Sequence, residues 1–116
     1  MLFRSGNRVK VKWFGEETNL HSLWDTHLVE SENLSYTEFA AFIDIDDEVR
    51  IASLQDSEVI DWVEESIVFR DQIYELGDRD YGYDYIYRYV PVVRQRLLQA
   101  GVRLAGVLNR LLDPQK

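Results

Sequence analysis

His21 and Asp25 stand four residues apart in the stretch that runs from Leu20 to Leu28. On a helix that spacing sets an imidazole and a carboxylate on one face, one turn apart, where both could grip one metal ion. The same spacing also describes a plain i,i+4 hydrogen bond on a solvated helix. Two ligands fall short of the three protein ligands that catalytic zinc normally takes. The other histidine, His27, lies about 120° away from His21 around a helix and does not complete the set. With no cysteine in the chain, a thiolate zinc site and a disulfide framework are both excluded.

These residues need elements to hold them. Val9, Val11 and Trp13 alternate with Lys10 and Lys12, the period-two pattern of a short half-buried strand that Gly15 ends. The bases Arg8, Lys10 and Lys12 could meet phosphate, but the alternation makes them more simply the solvent face of that strand. Thr18 or Asn19 can cap a helix carrying Leu20, Leu23, Trp24 and Leu28, with an end near Glu30 to Asn33. Trp24, so close to His21, is expected to pack in the core. Ser35 and Glu38 fit a capping box ahead of the apolar run from Phe39 to Ile45. Acids at 44, 46, 47 and 48 make the next stretch, to Gln55, read mostly as loop. Asp56 or Ser57 is then expected to cap a long amphipathic helix with the stripe Trp62, Ser66, Phe69, Ile73 and Leu76, closed by Gly77.

Five tyrosines at 81, 83, 85, 87 and 89 lead into a last helical stripe, Val93, Leu97, Gly101, Leu104, Leu108 and Leu111, which ends at Asp113–Pro114. Pro91 should kink or restart that helix. The tyrosines are expected to pack with hydroxyls at the surface. Gly101 costs about 1 kcal/mol relative to alanine inside a helix, so close approach of another helix is its expected reason.

Composition bounds the answer. The 116 residues are 46% apolar and 13% aromatic, enough for one core and against disorder. Net charge is −8, which argues against a surface that holds nucleic acid by net positive charge but leaves a metal-centred enzyme open. The charge is uneven: residues 1–15 and 88–116 are basic and the stretch between them carries almost all the acids. Neutralisation of one segment by another is the simple reading. No run approaches the roughly 18 apolar residues of a membrane span, no signal peptide is visible, and there is no repeat or linker.

The string Val11-Lys-Trp-Phe-Gly-x-x-Thr18-Asn-Leu-His21-x-x-Trp24-Asp25 resembles the W-F-G-x-x-T-N-L-H-x-x-W-D signature of the zinc-dependent single-strand nucleases of the S-one/P-one type, in the phospholipase C/nuclease superfamily. Leu34 to Glu38, Asp61 to Ser66 and Arg96 to Asn109 are similar to further segments of that family, in its order. Ser5–Gly6–Asn7 matches its Gly-Gly-Asn turn with the first glycine replaced. The resemblance spans essentially the whole chain and only the carboxy-terminal part of such an enzyme, so 1–116 reads as a part-domain whose amino half is absent.

The resemblance implies that His21 and Asp25 are two ligands of one zinc in a three-zinc cluster, the other ligands lying in the amino half. At most one partial zinc site is expected here. It implies hydrolysis of single-stranded DNA and RNA, or 3′-nucleotides, to 5′-phosphorylated products, with zinc activating water and stabilising phosphoryl charge. It also implies export to a secreted or periplasmic location, and places Asn19 near the nucleotide pocket, although Asn19 serves equally as a helix cap. The expected fold is mainly α, a helical bundle-like part-domain with a short amino-terminal β-hairpin or extended arm. Alone, the chain is expected to be inactive, and to need the missing half or self-association. The alternative is a non-catalytic helical interaction module derived from the nuclease fold.

Overall fold

A computed structural model describes residues 6–113. The positions Met1 to Ser5 and Pro114 to Lys116 lie outside the described residues, and with them the replaced glycine at Ser5 and the terminal proline. The fold is mainly helical with a small sheet near the amino end, as the periodicity predicts. It divides into two units, residues 1–43 with 77–95 and residues 44–76 with 96–116.

The first unit begins with a 3-10 turn, Gly6–Arg8, and strand β1, Lys10–Trp13. Val9 and Val11 are buried while Arg8, Lys10 and Lys12 face solvent, the alternation expected of a one-sided strand. Phe14 and Gly15 both take positive φ, 51° and 81°, and form the two-residue primed turn that matches strand twist. They return the chain as β2, Glu16–Asn19, antiparallel to β1 with Trp13 opposite Glu16. The hairpin gains a third strand that the sequence did not announce, β3, Asp80–Tyr81, parallel to β1 on its free edge.

Asn19 is the helix cap: its side-chain oxygen accepts from the Ser22 amide at 2.8 Å. The helix it starts is composite, α1 (Leu20–Ser22), a π-helical segment (Leu23–His27) and α2 (Leu28–Glu30). Leu20, Leu23 and Leu28 are buried on its inner face. Asn33, at φ 56°, turns the chain out of it. The capping box then forms as predicted: the Glu38 amide donates to Ser35 Oγ at 3.2 Å and the Ser35 amide to Glu38 Oε1 at 3.1 Å, opening α3, Tyr36–Ile43.

In the second unit the stretch read as loop is largely helix. Asp47 caps it by accepting from the Val49 and Arg50 amides, and α4 runs Glu48–Asp56. One of the clustered acids is the cap itself, so the charge that suggested a loop starts the helix. The long helix α5, Val59–Ile73, starts from Glu58 rather than Asp56 or Ser57, with Asp61 reaching back to the Glu58 amide at 2.9 Å. Ser57 instead accepts from Trp62 Nε1 at 2.7 Å.

The last helix, α6, is continuous over Tyr83–Leu112 with Pro91 inside it, so the proline does not restart it. Its first part belongs to the first unit. There Tyr81, Tyr85 and Tyr89 stack in series, with centroids 4.3 and 4.4 Å apart, and Trp24 meets Tyr85 and Tyr89 edge-on. Trp24 Nε1 donates to Tyr85 Oη at 2.9 Å, and burial pushes the Tyr85 phenol upward. Tyr83 and Tyr87, out of that phase, are exposed. The close approach expected at Gly101 is not made within this chain. A Cβ on Gly101 would meet nothing within 4 Å, whereas one on Gly106 would come within 2.9 Å of the Gln55 side chain.

Candidate metal and nucleic-acid site

The composite helix brings His21 and Asp25 together. His21 Nε2 lies 3.2 Å from Asp25 Oδ2, and both side chains are well exposed, 52% and 72%. Donors bound to one tetrahedral zinc at about 2.0–2.1 Å stand about 3.3 Å from each other. The distance between the two atoms matches that of two donors on one ion and equally that of a direct hydrogen bond. Without an ion, an Nε2–H on the imidazole would donate to the same carboxylate. Asp25 lies in the π-helical segment, whose wide turn is marked by the Leu28 amide bonding to the Leu23 carbonyl. Such π insertions occur frequently at functional sites.

The pair is also held from behind. Gly6 lies so close to the start of the helix that a Cβ there would sit 2.8 Å from the His21 amide nitrogen. The Leu20 amide donates to the Val9 carbonyl at 2.9 Å, and Asn19 caps the same turn. Two contacts from the amino-terminal turn and strand, with the Asn19 cap, thus fix the backbone from which the imidazole projects. The need for glycine at position 6 was not visible in the spacing of the ligands.

His27 is directed elsewhere. Its ring stacks on Trp13 at 5.9 Å, and Nε2 lies 3.4 Å from Thr18 Oγ1. Among the described residues no group of three histidines, aspartates or glutamates gathers about a common point. Among the described residues the two sequence-predicted donors, His21 and Asp25, stand together without a third beside them.

Asn19 borders an open groove of about 750 Å³ along the sheet, together with Lys10, Lys12 and Thr18. Neither His21 nor Asp25 lines it. Lys10, Lys12 and Arg79 are matched there by Glu17, Asp78 and Asp80, so the groove offers no net positive field to a phosphate backbone. Three arginines of the basic carboxy-terminal segment are likewise paired with acids. Arg94 forks onto Glu32 at 3.0 and 2.9 Å in the first unit, and Arg96 and Arg103 share Glu65 in the second. These pairs are part of the neutralisation expected from the uneven charge. No helix among the described residues is long and apolar enough to cross a membrane.

Residues 3–113 match the family model described as S1/P1 Nuclease. The chain is also similar to three proteins of Arabidopsis thaliana. It is 30% identical to Endonuclease 3 over 131 aligned positions that cover 96% of this chain and 44% of the relative. It is 28% identical to Endonuclease 4 and 26% identical to Endonuclease 2, each alignment covering 93% of this chain and 42% or 43% of the relative. The chain thus spans less than half the length of the relatives it matches.

Proposed function

The chain belongs to the S1/P1 nuclease family, and from that membership we propose that it is the carboxy-terminal part of a zinc-dependent nuclease acting on single-stranded DNA or RNA. The observation that carries the zinc reading is the 3.2 Å spacing of His21 Nε2 and Asp25 Oδ2 on an exposed helical face. Bound zinc supplies Lewis-acid activation of water and of the phosphoryl group. The chain's own residues do the positioning: Gly6 and Asn19 set the helix start, His21 and Asp25 present two donors, and Trp24 locks the helix onto the tyrosine stack. The groups completing the ligand set come from polypeptide outside these 116 residues.

Hydrolysis of single-stranded oligonucleotides with zinc present tests this. The 116-residue chain alone should show no cleavage above background. Joined to the remaining family polypeptide, it should release 5′-phosphorylated products and lose that activity on Asp25→Ala. Cleavage by the isolated monomer that persists in Asp25→Ala would overturn the reading.

A further inference from the structure

The second unit is built inside out. Among its described residues Leu98 is the one buried apolar side chain, while Gln99 and Arg103 on the same helix are buried at 9% and 6% exposure. Arg103 is turned inward to Glu65, the Leu54 carbonyl and the Trp62 ring. The opposite face of α6 carries Leu97, Gly101, Leu104, Leu108 and Leu111, spaced by four and three residues, and all of them are exposed. Ala100, Ala105 and Leu112 widen it, with no charge among these residues. So broad an apolar face is that of a helix in a protein core rather than the narrow seam of a two-stranded coiled coil.

Two details say what covers it. Gly101 has open space where its Cβ would be, so nothing in this chain accounts for a glycine at an interior helical position. A second helix crossing there backbone to backbone would account for it. Beside it, Trp62, Ala100, Leu104 and Val107, with Arg96, Gln99 and Arg103, border a cleft of about 310 Å³, room for a large side chain. The matched relatives carry more than half their length outside the region similar to this chain.

We propose that the leucine face of α6 docks an apolar helix from the part of the S1/P1 polypeptide that lies outside these 116 residues. That helix crosses at Gly101 and sets one large apolar side chain into the Trp62–Leu104 cleft. The proposal rests on the family reading above and names where the remaining polypeptide binds.

The test is co-expression of the tagged 116-residue chain with the part of Arabidopsis Endonuclease 3 outside the matched region, followed by sedimentation of the purified species. A one-to-one complex is expected, and Leu104→Glu or Leu108→Glu should weaken it at least about tenfold, as loss of a central apolar contact does. Val49→Glu, at an 80% exposed site off this face, should leave it unchanged. Gly101→Leu should act with opposite signs, raising the melting temperature of the isolated chain by about 4 °C while weakening the complex. No complex, a complex indifferent to these substitutions, or a dimer of the chain alone that Leu104→Glu dissolves would overturn the proposal. A complex with the expected sensitivity that takes up no zinc through His21 and Asp25 would instead refute the zinc reading and leave the docking site standing.

Discussion

At the scale of single residues, the placing of His21 and Asp25 depends on residues outside the pair. Gly6 is the sharpest case, because any side chain there collides with the His21 backbone rather than with a side chain that could swing away. Gly6→Ala should therefore cost about 1–3 kcal/mol of stability. Its zinc affinity should fall as well, both checked on one protein by urea melts and zinc titration. Asn19 separates two roles. If it acts as the cap, Asn19→Ala should cost about 1 kcal/mol and Asn19→Asp should restore most of it, since both oxygens accept from the Ser22 amide. In the assembled nuclease, a kcat/KM that falls equally for Asn19→Asp and Asn19→Ala would assign it to the substrate instead. The cap and the closeness of His21 and Asp25 were legible in the sequence because they are local, within four residues. Gly6 against His21 was not, because a close approach between distant residues leaves no periodic signal.

At the scale of elements, local chemistry predicted best where one side chain satisfies a backbone group nearby. The Ser35/Glu38 box formed as expected, and the serine hydrogen bonds hold the Glu38 carboxyl below its ordinary value. A lowered carboxyl stabilises the fold above its unfolded value and loses that contribution as pH falls through the folded one. Acid should therefore fray α3 at its amino end, and Ser35→Ala, which keeps the Ser35 amide but loses its hydroxyl, should reduce that pH dependence, as read by amide hydrogen exchange of Thr37 and Glu38. Misreadings followed from competing terms. Asp47 looked like loop because its neighbours are also acids, although one acid at the right place is a cap. Strand β3 is two residues long and pairs with β1 about seventy positions away, which no local pattern encodes. Pro91 stays within α6 because the stack of Tyr85 and Tyr89 and the burial of Val90 and Val93 hold both sides of it.

At the scale of the whole molecule, the opposing charges along the chain meet as specific pairs. Glu65 receives Arg103 at 2.7 and 2.8 Å and Arg96 at 2.8 Å, and the Arg103 hydrogen bonds hold its carboxyl down from 4.5 to about 2. The stabilisation is full above the unfolded value and is lost as pH falls from about 4.5 toward 2. Because the carboxylate stays about a third exposed, solvent limits it to about 1 kcal/mol. Glu65→Gln should cost somewhat more at neutral pH, about 2 kcal/mol, since it leaves the buried Arg103 without its counter-charge, and should flatten the acid limb of the stability profile. The apolar faces complete the picture. In the second unit leucines face solvent while Arg103 is turned inward, the arrangement from which the docking proposal starts. The family motifs made the membership legible, whereas periodicity alone gave the leucine stripe without saying which side it faces.

The central claim is that His21 and Asp25 hold one zinc between them. Its most direct measurement is a zinc titration of the 116-residue chain followed by NMR of the His21 imidazole, in wild type and in Asp25→Ala. The His21 ring signals should move with zinc, and the substitution should raise the zinc needed at least about tenfold, the scale on which losing a ligand or its support weakens a site. A His21 ring indifferent to zinc, or one that responds at the same concentration with and without the Asp25 carboxylate, would contradict it.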